Sequence, residues 1–337
     1  MTDTKGLWFD GHNDALLRLS KMAPADAAFN FEDESQGEFN LQGARRGGLV
    51  GGVFAIFCPS AETETPGYYA NLPAQDALPL ALEQVSIFQR LERAGQLAHC
   101  RDANSLRSAI SGPKLAAILH LEGAEALGEE AELLEAFYAF GLRSLGLVWS
   151  RQNAFGTGVP MIPDSSPEIG PGLTSAGKSL VQRCDDMGVI IDVSHLNEKG
   201  FWDVAEISRN PLVATHSNAH ALCPHARNLT DQQLLAIRNS NGVVGLTFAV
   251  DYLRADGQRV TDTPLSRVVE HFEYMLMQLG PDCLAIGSDF DGAYVPDLLN
   301  KVERVPDLIQ SLRERGHSES VLRKTLRDNW LRVYDPN

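Results

Sequence analysis

The densest grouping of chemically useful side chains is FDGHND, residues 9–14. On an extended strand, positions two apart face the same way, so His12 and Asp14 project together while Asn13 turns aside. An imidazole and a carboxylate so placed form half of a coordination shell for Zn2+ or a similar borderline cation, or else a buried hydrogen-bonded pair. His195 and His216 close the apolar runs VIIDVSH (189–195) and LVATHS (212–217). Either one alone reads most simply as a rim histidine satisfied by its neighbours. Two of them added to His12 favour ligation. Glu122, near the end of LAAILHLEG (115–123), supplies a carboxylate able to bridge two cations; a rim salt bridge is the alternative, and Glu125 is a rival for the role. Jointly these five residues suffice for a two-metal site of the kind that activates water for hydrolysis. CLAIGSDFDG (283–292) then offers two aspartates on one face. Asp289 suits general base and then general acid work, whereas the Asp291–Gly292 pair suits a turn.

A competing motif is GLTSAGKS (172–179), which matches the phosphate-loop pattern G-x-x-x-x-G-K-[ST]. That loop needs a buried strand directly before it, and MIPDSSPEIGP cannot be one. Thr174 also reads as the N-cap of a helix over 174–187, which places Gly177 and Lys178 in a first turn rather than in a loop.

The elements that must position these groups alternate along the chain. Eight β-rich runs, 6–14, 47–58, 115–123, 143–150, 189–195, 212–217, 242–248 and 283–292, are separated by amphipathic stretches such as 73–96, 129–140, 174–187, 197–207, 230–239 and 264–279. Thr174, Asn197 and Thr230 are plausible helix starts, and Gly141, Gly188 and Gly280 plausible ends. An open doubly wound sheet shares this alternation. Useful residues nevertheless end six of the eight runs (His12/Asp14, Glu122, Trp149/Arg151, His195, His216, Asp289/Asp291), and only a closed barrel brings all strand ends to one mouth. The expected fold is therefore an α/β (β/α)8 TIM-type barrel. Long Pro/Gly/Ser-rich loops at 59–72 and 154–173 overhang its C-terminal face, a C-terminal helical segment (318–333) packs outside it, and residues 1–337 form one domain.

With 29 Lys+Arg against 44 Asp+Glu, the formal charge of −15 repels nucleic-acid backbones and anionic membrane surfaces. No apolar run is long enough to span a bilayer, and MTDTKGLWFDGHND lacks the basic and apolar regions of a secretion signal. Cys58, Cys100, Cys184, Cys223 and Cys283 are scattered without a C-x-x-C pair, which reads as reduced thiols in a cytoplasmic protein.

Taken in order, FDGHND, ARRGGLVGGVFAIF (44–57), LEG (121–123), DVSH (192–195), THSNAHALCPHARNLTD (215–231) and GSDFDG (287–292) resemble the renal dipeptidase (membrane dipeptidase) family of zinc peptidases, within the metal-dependent amidohydrolase barrels. The resemblance runs over nearly the whole chain. It implies two Zn2+ per chain and cleavage of dipeptides by a hydroxide held between the metals. His12 and Asp14 match ligands of one zinc, Glu122 the bridging carboxylate, and His195 and His216 ligands of the other. Asp289 matches the catalytic acid/base, and Arg227 the arginine that grips the substrate's terminal carboxylate. The chain departs from the family at Trp149, where many members carry a histidine near the oxyanion. It departs again where some members place a substrate-contacting tyrosine, a position matched here most closely by Ala249. An indole donates one N–H and carries no charge, so specificity does not transfer with mechanism. Another metal-dependent activity on the same site, toward N-acyl amino acids, lactams or esters, is the alternative. Implied partners are small dipeptides, with no nucleic acid and no membrane; a homodimer is left open.

Overall fold

A computed structural model describes residues 7–335. Residues 1–6, on which the expectation of no secretion signal partly rests, lie outside the described residues, as does Gly6 of the first run. Nine parallel strands form one sheet: β1 Trp8–Asn13, β2 Leu49–Phe57, β3 Leu97–His99, β4 Leu115–Glu122, β5 Leu142–Gly146, β6 Ile190–Asp192, β7 Val213–Ala214, β8 Val243–Leu246 and β9 Leu284–Ile286. Eight follow one another in the order β1-β2-β4-β5-β6-β7-β8-β9, and β3 pairs only with β4. The ends are drawn together where Asn13 bridges Phe290 in parallel, Asp289 N donates to His12 O (3.0 Å) and Ser288 N to Asp10 Oδ1 (2.8 Å). The result is a nearly closed (β/α)8 barrel.

Strands and helices arise as their residues dictate. β2, LVGGVFAIF, is apolar throughout because both of its faces are covered. Its glycines permit close approach, since a Cβ on Gly51 would lie 2.3 Å from Ala116 O on β4. The helix Ser175–Met187 starts where Thr174 accepts from Gly177 N and ends at Gly188 (φ +70°), so Gly177 and Lys178 of the phosphate-loop match lie in its first turn. The helices Glu198–Ile207 and Asp231–Asn239 start at Asn197 and Thr230, each accepting a backbone N–H.

Three features differ from expectation. β3 is a three-residue strand that no periodicity reveals. β6 and β7 have only three and two residues, so His195 and His216 lie on the loops just beyond them. The C-terminal segment does not pack outside the barrel but closes its floor. Trp330 is fully buried, its indole donates to Ile286 O (2.8 Å), and a Cβ on Gly11 would lie 2.2 Å from its Cζ2. Above the floor, Asp10, His120, Ser144, Asp192, Thr215 and Ser288 are all buried, a polar content unlike the branched aliphatic layers that usually fill such barrels. The two long loops meet over the opposite face, where Met161 N donates to Gly67 O (2.8 Å). Among the described residues no helix is long and apolar enough to cross a membrane.

Candidate active site

Strand ends deliver the five expected ligand residues to one buried point. His12 Nε2 lies 3.6 Å from both Asp14 Oδ2 and Glu122 Oε2. Glu122 Oε1 lies 2.9 Å from His195 Nε2 and 3.4 Å from His216 Nε2. Glu122 thus turns one oxygen toward His12 and Asp14 and the other toward His195 and His216. Each trio has its ligand atoms within 4.8 Å of one another.

These residues fit metal ions on grounds of their own. His195 Nε2 and His216 Nε2 face each other at 3.0 Å, and His12 Nε2 is buried with no hydrogen-bond partner among the described residues. Aromatic nitrogens brought together beside carboxylates and away from water call for a cation among them. Burial alone would push His12 down, but the Glu122 and Asp14 carboxylates override it and hold the imidazole well above its ordinary range. Glu122, which burial would raise, is driven well below the usual carboxylate range by His12 and His195. Burial, aided by the Arg227 charge, lowers His195 to about 4, and burial with the His12 charge keeps His216 well below its usual value. The site therefore presents a buried anionic bridge with neutral imidazoles on its His195 and His216 side, the donor set of a borderline divalent cation.

Asp289 stands beside this cluster, grouped with His12 and His216 within 4.8 Å. It is held at φ +67°, a region that non-glycine residues seldom adopt. Gly292 leaves it room, since a Cβ there would meet Asp14 Oδ2 at 2.2 Å and Asp289 Oδ1 at 2.8 Å. Burial, with the neighbouring Asp14 and Glu122 carboxylates, raises Asp289 to about 8. Asp291 instead anchors the turn, accepting from Arg18 Nε (2.9 Å) and Glu38 N (2.7 Å). Glu125, the rival to Glu122, is spent on Arg151 at 2.8 Å.

The mouth is a cavity of about 180 Å3 over the cluster, with Phe57, Tyr69, Trp149, Met161, Tyr252 and Tyr294 among its walls. Trp149 belongs to this wall and not to the core, with ring centroids 4.9 Å from Phe57 and 4.5 Å from Tyr69. Ala249 is fully buried as the N-cap of the short helix Val250–Leu253 and lines no part of the cavity. Tyr252, carried by that single turn, does stand in the wall. Arg227 lies behind the wall, 2% exposed, with its guanidinium 5.2 Å from the Tyr252 ring centroid. Its Nη2 donates to His216 O (2.9 Å), while Nε is buried without a partner. Sequence reasoning missed the Asp251–Arg259 ion pair (3.1 Å) at the rim, which joins the helical turn Val250–Leu253 to a loop residue with no motif between them.

Comparison with known proteins places this geometry. The model of the membrane dipeptidase family (peptidase family M19) matches residues 3–336. The chain is 42% identical to a metallo peptidase from Rhodobacter sphaeroides whose crystal structure holds a phosphinate mimic of the dipeptide L-Ala-D-Ala; the match covers 97% of this chain and 98% of that one, with a TM-score of 0.93. A solved dipeptidase AC, a metallo peptidase of family M19, is 44% identical with the same coverage and TM-score. Dipeptidase 3 of Macaca fascicularis is 29% identical over 329 residues, 96% of this chain and 64% of that protein.

Proposed function

The chain belongs to the membrane dipeptidase family, and from that membership we propose a two-zinc dipeptidase in which Glu122 bridges the metals, His12 and Asp14 complete one position and His195 and His216 the other. The enzyme is a metallo-dipeptidase. The observation that carries the ligand assignment is the division of the Glu122 oxygens between two separate donor groups. When bound, a pair of divalent cations supplies Lewis-acid polarisation of the scissile carbonyl and makes water acidic enough to attack near neutral pH.

The chain's own residues do the rest. Asp289, grouped with His12 and His216 at the edge of the cluster, would in its ionised form take the proton from the attacking water and return it to the leaving amine. Arg227 holds the substrate's terminal carboxylate, a role supported by its buried, unpartnered Nε. That anchor and the small cavity together bar longer peptides. Trp149 adds apolar wall with a single N–H and no charge, so it would contribute no charged group to stabilise an oxyanion. Nothing in the site favours N-acyl amino acids, lactams or esters over dipeptides. We also read residues 1–337 as one domain and the compartment as cytoplasmic, supported by five free, buried cysteines.

The test compares zinc-loaded enzyme on free and C-terminally amidated dipeptides. Losing one partner of a buried charge pair costs about 2–5 kcal/mol, so amides should be poor substrates, and Arg227→Met should cut kcat/KM for free dipeptides at least about 30-fold. Equal turnover of acid and amide forms removes the carboxylate anchor.

A further inference from the structure

The Thr215 hydroxyl sits beneath both halves of the cluster. Thr215 Oγ1 is 2.5 Å from Asp192 Oδ2, 2.8 Å from His216 Nδ1 and 3.3 Å from His12 Nδ1. A hydroxyl has one hydrogen and two lone pairs, whereas a carboxylate only accepts. Both Asp192 oxygens are in use as acceptors: Oδ1 takes the backbone N–H groups of Ser194 and Thr215, each at 2.9 Å, and Oδ2 takes the hydroxyl hydrogen. With its hydrogen committed to Asp192, Thr215 Oγ1 can only accept from the two imidazoles. Both must therefore carry a proton on Nδ1, so that in the neutral imidazole the lone pair lies on Nε2, on the side of Glu122.

We propose that Thr215 is a positioning residue that fixes the ligating tautomer of one histidine in each of the two metal positions at once. This inference rests on the two-metal reading of the site. Its neighbours hold the hydroxyl in place. Thr215 is fully buried, and its carbonyl oxygen is packed so closely that a Cβ on Gly245 or Gly287 would lie 1.9 or 1.8 Å from it. The two histidines it serves lie against each other, ring centroids 3.8 Å apart and planes tilted by 35°, so one hydroxyl near both Nδ1 atoms reaches both. His195 has a separate arrangement, with Nδ1 2.8 Å from Ser150 Oγ. The sequence places Thr215 directly before a ligand residue, but the shared role comes from β1 and β7 lying across the barrel from one another.

The experiment measures retention of each zinc equivalent against a competing chelator in wild type, Thr215→Val, Thr215→Ser and Ser150→Ala, with circular dichroism to check the fold. Losing such an outer partner typically weakens metal binding about 10–100-fold. Thr215→Val keeps the shape without the hydroxyl and should weaken both equivalents by that factor, while Thr215→Ser restores both. Ser150→Ala should weaken one equivalent only. Wild-type affinity in Thr215→Val overturns the inference, as does a loss confined to one equivalent or a Ser variant as weak as Val. If Thr215→Val does not fold, Asp192→Asn serves instead: its amide can donate to Thr215 Oγ1 and free the hydroxyl hydrogen to turn toward an imidazole, so both equivalents should again weaken, and unchanged affinity overturns the inference. A wild type that binds fewer than two equivalents refutes the two-metal reading itself.

Discussion

Replacing Glu122 with glutamine conserves shape and removes one charge at the point where both donor groups meet. Glu122 Oε2 lies 3.6 Å from His12 Nε2, a separation that sets the scale for its interaction with a cation shared with His12. With an effective dielectric of about 20, a unit charge pair at that separation is worth roughly 4–5 kcal/mol, or about three decades of affinity. An amide retains one oxygen, and its nitrogen cannot ligate. The substituted side chain can therefore serve the His12 and Asp14 side or the His195 and His216 side, but not both. Glu122→Gln should keep one equivalent of zinc, weakened, and lose the second by about 10³-fold, with dipeptide hydrolysis falling in step with the second. Glu122→Ala should lose or weaken both. Titration of metal-free protein with zinc, followed by elemental analysis, reads the stoichiometry directly. Two equivalents bound at wild-type strength in either variant would refute the bridging argument.

Asp289→Asn should keep metal and fold yet lower kcat about 10²–10⁴-fold, whereas Asp291→Asn, which disturbs the contacts to Arg18 and Glu38, should show first as lost thermal stability; steady-state kinetics beside melting curves separate the two, and reversed effects would reassign the pair. Trp149→His should reorder a panel of dipeptide substrates while leaving zinc content and melting temperature nearly unchanged, because the indole walls the cavity; a large loss of stability with an unchanged order would make it a packing residue. His271 is held neutral by burial, its value pushed down to about 4 between Ala219 N and Leu253 O. Its unfolded value of about 6.5 is higher, so the unfolded chain binds the proton first. Stability is complete above about pH 6.5 and is lost as pH falls toward 4, by up to about 3 kcal/mol from this group. Urea unfolding of wild type and His271→Gln across that range should show the shallower slope in the variant; parallel slopes would reject the assignment.

What the sequence made legible was whatever strand ends expose. His12, Asp14, Glu122, His195, His216 and Asp289 stand out because each is polar at the end of an apolar run, and the structure brings all six together. Tyr252 escaped because the chain after β8 makes one helical turn, and a reading in extended register stops at Ala249. β3 escaped because three residues carry no period. Asp192 and Thr215 were visible as residues, but their hydrogen bond depends on the register between β6 and β7, which no spacing in the sequence fixes. The C-terminal segment showed helical periodicity, which says that one face is buried but not against what; Trp330 finds its place only once Gly11 and Gly245 leave space beneath the barrel.

The seam between β1 and the loop after β9 also governs the order in which this protein can be made. Asp10 accepts from Ser288 across 278 positions of sequence, and Trp330 seals the floor only after that. During synthesis at about 5–20 residues per second, the first strand can pair with β2 early but waits many seconds for the partner that closes its other edge. Through that interval β1 presents an unpaired apolar edge, the kind of surface that aggregates or attracts chaperones. The residues proposed to hold metal are thus brought to their final places only as the barrel closes, which makes completion of that site a late event in the folding of each molecule.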